Sequence, residues 1–414
     1  MVIISVHGRK RVLCLYKSCL SAALLVFFWI VLACTQVHCG VWDMDPPQVT
    51  GDPLWGQVTS LWADHYWGKN LDDLISVLNK LQKKDPDSIE PYLWLARVHH
   101  LHARYHSRER TYHYEKAEEY AAQACRMDPK NPLAVKALID TLFHSKSRQY
   151  IMNKYSDLIR SCAPLPVGEA LPDMKNIDGW DDFKEVWEAR ADIEKALEAL
   201  SAVERMALDY ASDPLVHTWA SRVNYYIGEY YLSIDTYSKG KPYFKKGIIH
   251  AQNAVKLQPD SVTANFWMLN NITRSIQDDW LFWKSRYLMD LLTPTLFCAR
   301  ENCMYYFSGP MIALGVMISH GGWVTEKGME MAGVNADMDM LSLELAEIVY
   351  PDYFFIPYQR AEILAYKGKK DEAIEILNKL VVRSPTVDSQ VPENRLYLSF
   401  ARRLIEDIQK GRIN

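Results

Sequence analysis

The sequence predicts an all-α fold, an α-solenoid of stacked helix pairs, and three observations carry that prediction. From Leu54 onward apolar residues recur at spacings of three and four, with Pro and Gly mainly between the segments. No stretch alternates convincingly as a strand does. A short pattern of small residues followed by proline recurs along the chain, which marks a repeat array and argues against several unrelated domains.

The amino terminus stands apart from that array. Arg9, Lys10, Arg11 and Lys17 make a basic region, Cys19 to Cys34 is apolar except for Ser21, and Asp43–Pro53 turns polar and proline-rich. Residues 1–40 therefore read as a signal peptide or lipoprotein signal. The apolar run, 16 residues, is shorter than the ~20 that a spanning helix needs, with an uncleaved signal anchor as the alternative. Ile30-Val31-Leu32-Ala33-Cys34 fits a permissive bacterial lipobox, which makes Cys34 the expected lipidation site. Cleavage after Cys39, with Val37 and Cys39 in the specificity positions, is the competing reading. The expected location is the periplasm, as a membrane-anchored lipoprotein or, failing that, as a soluble or signal-anchored protein. Residues 41–414 then form a single helical domain.

Within that domain the repeats align by residue. Tyr120-Ala121-Ala122-Gln123-Ala124-Cys125-Arg126-Met127-Asp128-Pro129 matches His250-Ala251-Gln252-Asn253-Ala254-Val255-Lys256-Leu257-Gln258-Pro259 without a gap. A third copy ends at Ala346 and Pro351, and two more share Leu78-Asn79-Lys80-Leu81 before Pro86 and Leu377-Asn378-Lys379-Leu380 before Pro385. Alanine lets two antiparallel helices approach, Met127 or Leu257 fills the space beside it, and proline stops the second helix. That is the logic of the tetratricopeptide (TPR) repeat. The first helices, Tyr92-Leu93-Trp94-Leu95-Ala96 and Phe266-Trp267-Met268-Leu269, give the bulky opening without the consensus Gly and Tyr, so the repeats are degenerate. Ser161–Asp173 reads as a proline-rich loop and Gly321-Gly322 as a turn.

Four stretches resemble the TatT family, the tetratricopeptide lipoproteins associated with TRAP-type transporters. They are Tyr92–Arg97 followed by Tyr114–Ala121, the Tyr306-Phe307-Ser308-Gly309-Pro310 to Leu314-Gly315 segment, the Gly321-Gly322 loop, and the closing Pro392-Glu393-Asn394-Arg395…Ala401-Arg402-Arg403. The closing motif is the most specific of the four. The resemblance implies a periplasmic, membrane-tethered helical protein with an internal apolar cleft that partners a transporter's solute-binding protein. His144–Ala189 has no counterpart in that pattern.

Composition narrows the function by exclusion. With 24% charged residues and a net charge of -4, nothing calls for nucleic acid. No two glycines are spaced as Gly-x-Gly and no Gly-Lys-Ser/Thr occurs, which removes the phosphate-binding turns. His320-Gly321-Gly322 lacks the Gly-x-Ser-x-Gly elbow that an oxyanion loop serves. His-Glu-x-x-His is missing, and Asn335-Ala336-Asp337-Met338-Asp339 has Met340 where a calcium loop needs glycine. No catalytic constellation remains, so the chain is expected not to be an enzyme and to need no cofactor. His99, His102 and His106 share a helix face with metal-ligand spacing, but Arg104, Arg108 and Arg110 oppose a cation, so a solvated face is expected and no metal. Cys298 and Cys303, five apart, either close a disulfide loop or stay as two reduced, buried thiols.

The aromatic content, 12% with 13 Trp and 24 Tyr, is the unusual entry in the composition. Trp94, Trp267, Trp280, Trp283, Tyr287, Tyr306 and Phe307 fall in first helices or their flanking turns, the elements that line the concave surface of such arrays. They are the candidate lining of a cleft for a small apolar ligand, with interhelix packing as the alternative. A scaffold gripping a peptide or protein partner is the competing function, and homo-oligomerisation stays open.

Overall fold

The computed structural model describes residues 52–413 apart from 66–67, 146–147, 163–173, 175, 278–287, 303–304, 332–337 and 386–390. Residues 1–40 with Cys34, expected to be a signal segment, and Trp280, Trp283, Tyr287 and Cys303, lie outside the described residues.

Among the described residues the regular elements are helices, with no strand, and they follow one another as pairs. The first three pairs are α1 (Pro53–Ala63) with α2 (Leu71–Lys84), α3 (Glu90–Tyr105) with α4 (Arg110–Met127), and α5 (Pro132–Ser145) with α6 (Arg148–Cys162). Next come α7 (Trp180–Glu188) with α8 (Ile193–Asp209), and α9 (Pro214–Ser233) with α10 (Tyr237–Leu257). The last pairs are α11 (Val262–Ser275) with α12 (Leu288–Asn302), α13 (Tyr305–Met331) with α14 (Met338–Val349), and α15 (Phe355–Tyr366) with α16 (Lys370–Val381); α17 (Val391–Gln409) ends the chain. Starts are marked by side chains that satisfy the free N–H groups of a first turn. Asp213 accepts from Leu215 and Val216, Asp192 from Glu194, and Ser261 from Ala264. Stops are marked by proline: α2, α4, α10 and α14 all end two residues before one.

The repeat register is visible in burial. In all five copies the residues eight and five before the proline, namely Leu78/Leu81, Ala121/Ala124, Ala251/Ala254, Leu343/Ala346 and Leu377/Leu380, are buried in helix contacts. The tetratricopeptide solenoid is thus an observed packing rule. The position two before proline is variable: Val349 is fully buried and Met127 half-buried, whereas Leu257 is 43% exposed. Leu257 is the last residue of α10.

The tightest pair is α9 with α10. A Cβ on Gly240 would lie 2.8 Å from the Gly228 carbonyl oxygen, and one on Gly228 would lie 2.4 Å from the Phe244 ring. Ile227-Gly228…Tyr231 followed by Gly240-x3-Phe244 is the Leu-Gly-x2-Tyr…Ala-x3-Phe pattern of the repeat. The consensus Gly and Tyr are therefore present, in α9 and not in α3 or α11. A second correction concerns Gly321-Gly322: they lie inside α13 and make no turn. Glycine in a helix interior costs only about 1 kcal/mol.

Two contacts close the array on itself. α6 meets α14, where Arg148 Nε donates to Glu344 Oε2 at 2.7 Å across 196 residues. α17 folds back onto the first helices α9 and α15: Ser399 Oγ donates to the Ser233 carbonyl at 2.9 Å, and Arg403 reaches the Leu232 carbonyl at 2.8 Å and Asp235 at 3.0 Å. Among the described residues no helix is long and apolar enough to cross a membrane.

Candidate functional site

The interior between the first helices is built around Arg222. On α9 Trp219, Arg222, Tyr226 and Glu229 recur at spacings of three and four and so share one face. α7 contributes Trp187 with Arg190 just beyond it, α11 contributes Trp267, α13 Tyr306, and α17 Glu393 and Tyr397.

The Arg222 guanidinium is held by rings. Its centre lies 5.0 Å from Trp187, 5.3 Å from Trp219, 5.0 Å from Trp267 and 5.2 Å from Tyr306. Each such contact is attractive by about 0.5–2 kcal/mol, more where water is excluded. Arg222 also donates to Tyr306 Oη at 3.3 Å and lies 3.8 Å from Glu393. Glu393 is gripped more firmly by Arg190, which donates to both carboxylate oxygens from Nη2 at 2.9 Å and to Oε1 from Nε at 3.1 Å. All three charged side chains are more than nine-tenths buried. Desolvating them is expensive and their mutual attraction roughly balances it, so the group is weak evidence for stability. A second buried pair, Glu229 with Arg274 at 2.7 Å, lies further along α9. Burial pushes the Glu229 carboxyl upward while Arg274 opposes that shift.

The backbone beside the rings is strained. Tyr306, Phe307 and Ser308 all have positive φ, at 43°, 56° and 63°. Left-handed backbone costs L-residues roughly 1–2 kcal/mol each, and such strain is characteristic of binding and catalytic sites. The turn delivers Tyr306 to Arg222 and stacks Phe307 on Tyr353 at 4.0 Å. One donor in this cluster is unspent: Trp267, 1% exposed, has no hydrogen-bond partner for its Nε1–H. The space bounded by Arg222, Trp267, Tyr306, Glu393 and Tyr397 amounts to about 10 Å³, room for one water.

Of the residues expected to line a cleft, the structure brings together Trp267, Tyr306 and Phe307. Trp267 and Tyr306 are 5.1 Å apart edge to face, as are Tyr306 and Phe307. Trp94 lies elsewhere, buried against Trp62 and Arg97 between α1 and α3. The expectation missed Arg190, Arg222, Trp187 and Trp219. The Glu-Asn of the closing motif has a physical role: Glu393 supplies the carboxylate, and Asn394 accepts from Phe354 N at 3.0 Å and donates to the Asp352 carbonyl at 2.9 Å. It fixes the entry of α15 to that of α17.

The histidines are the main correction. His99, His102 and His113 are buried and do not form a solvated face, while His106 is exposed. His102 stacks on His113 at 3.6 Å, and His99 Nδ1 faces His113 Nδ1 at 2.8 Å, so one ring donates and the other accepts. Burial, with His113 and His102 beside it, pushes His99 down to about 3. Among the described residues no cluster is placed to hold a metal ion. Cys298 is buried, with its thiol 3.5 Å from the Val262 carbonyl, and its pairing with Cys303 lies outside the described residues.

The fold and this site define a tetratricopeptide-type helical repeat protein with a charged, aromatic interior. The chain is similar to a solved structure of the P58(IPK) TPR domain, at 14% identity over 87% of this chain and 100% of that one, with a TM-score of 0.17. At that score the likeness carries no argument, and the repeat assignment stands on the burial register described above. No protein-family model matches the sequence, and no curated protein matches it.

Proposed function

We propose that this chain is a TatT-like binding protein: exported, anchored at Cys34 once residues before it are removed, and holding a small, largely apolar ligand in the interior around Trp267. In this reading it works beside the solute-binding protein of a TRAP-type transporter and performs no chemistry of its own. The observation that carries the ligand assignment is the Trp267 indole N–H, buried and unpartnered against a cavity lined by rings and by Arg222. An orphaned buried donor costs about 1–3 kcal/mol unless something accepts from it. Contiguous buried aromatics with a few polar groups are the usual lining of a small-molecule site. Because the free space is one water in size, the ligand enters when α17 or the left-handed turn at Tyr306–Ser308 moves.

A second reading, a scaffold for a helical peptide or protein segment, is favoured by α17, itself a helix laid against the first helices. Native mass spectrometry of the full-length protein extracted in detergent separates the two. A small-molecule mass lost on denaturation, and lost in Trp267→Ala, supports the ligand site. A bare polypeptide that binds isolated solute-binding protein with equal affinity in wild type and Trp267→Ala contradicts it and favours the scaffold.

A further inference from the structure

α4 and α6, the second helices of successive pairs, lie side by side and parallel, and one buried carboxylate fixes their register. Glu118 on α4 accepts from Tyr150 Oη and Lys154 Nζ on α6, both at 2.9 Å, and from Tyr155 Oη. Seven residues are two helical turns, so the residues seven further along each helix face one another again. Those residues are Cys125, seven after Glu118, and Cys162, seven after Tyr155. Ala121, Ala122 and Ala124 keep the α4 face low, so the backbones approach. Both cysteines are fully buried and unbridged, each is a charge neighbour of the other, and the Cys162 thiol donates to the Leu158 carbonyl at 3.3 Å. Cys162 is the last residue of α6.

We propose that Cys125 and Cys162 are a redox-active pair that closes a disulfide between α4 and α6. Cys162 ends α6, where the chain opens first, and with Cys125 as the largest cause its thiol is held below the ordinary range against the opposing effect of burial, which makes Cys162 the attacking thiolate. Helix ends open at low cost, and that opening admits the oxidant. With oxidised glutathione, the Cys162 thiolate attacks one glutathione sulfur, the S–S bond breaks, and one glutathione leaves as thiolate. The Cys125 thiolate then attacks Cys162 in the mixed disulfide and expels the second glutathione. Two protein thiols lose two electrons, glutathione disulfide gains them, and the two thiol protons end on glutathione. The bridge closes a long loop of chain that includes α5, and so restricts the unfolded state.

The test is peptide mapping of the full-length protein, reduced and then incubated with oxidised glutathione. After alkylation and trypsin, peptides 117–126 and 161–175 are expected as one linked species, two hydrogens lighter than their sum. Oxidation should raise the thermal midpoint by roughly 5 °C. Cys125→Ser should stall at a stable glutathione adduct on Cys162, whereas Cys162→Ser should leave Cys125 unmodified. Wild-type protein in which both cysteines are recovered alkylated overturns the proposal, as does a bridge from either one to another cysteine. The wild-type map decides even if a serine variant fails to fold.

Discussion

Acid should loosen the α3–α4 pair through His99, and the size of the effect follows from its surroundings. His99 is buried on α3 against His113 and Tyr120 of α4, with His102 on its own helix and Lys116 nearby; Asp72 and Glu109 bond to His102 and His113 and not to it. Its affinity for a proton is depressed from the ordinary 6.5 to about 3. The unfolded chain therefore binds a proton at pH 5 that the folded protein refuses. Stability from this group is fully present above pH 6.5 and is lost as pH falls toward 3. At 1.36 kcal/mol per pH unit, the loss at pH 5 is about 2 kcal/mol. His113 is also depressed, by burial first and by His102, and adds a loss of the same sign. Urea unfolding followed by circular dichroism at pH 7.5 and 5.0, with tryptophan fluorescence as a check for a single transition, measures the loss. His99→Gln should reduce the difference between the two pH values by about 2 kcal/mol. An equal acid loss in wild type and variant would refute the assignment.

The interior and the repeat packing make further predictions. Glu393→Ala strands two buried guanidinium groups and should cost about 3–5 kcal/mol, read as a fall in the denaturant midpoint; a surface-like effect below about 0.5 kcal/mol contradicts the buried network. Asn394→Ala removes the acceptor for Phe354 N–H and the donor to Asp352, and should cost about 1–3 kcal/mol by the same measurement. Gly228→Ala drives a methyl into the Phe244 ring and should cost about 1–3 kcal/mol. Phe244→Leu in the same chain should recover part of it, and a neutral Gly228→Ala would sink the close-packed α9–α10 pair.

The repeat was legible because its rule is local. Five copies carry small or aliphatic residues at fixed distances before a proline, and those positions are the buried ones. The Ile227-Gly228…Tyr231 signature is equally local, but Tyr225, Tyr226 and Tyr230 surround it and hide it among aromatics. The site was legible only in part. Trp267, Tyr306 and Phe307 stood out as large rings in first helices, but Arg190 and Arg222 look like ordinary surface charges in one dimension. Their burial depends on Glu393, 203 residues from Arg190, arriving on a helix that folds back onto α9. The histidines misled for the same reason: flanking arginines suggest solvent, while packing of α3 on α4 removes it.

The proposed ligand site beside Trp267 can be seen or excluded directly. An experimental map of the full-length protein as purified, at a resolution that shows side chains, tests it most directly. The expected result is density that no residue explains, within hydrogen-bond distance of Trp267 Nε1 and against the Arg222 and Tyr306 faces, with α17 or residues 306–308 shifted to admit it. The same rings closed on one another with nothing but a single water between them, both in protein as purified and after solvent extraction, would contradict it.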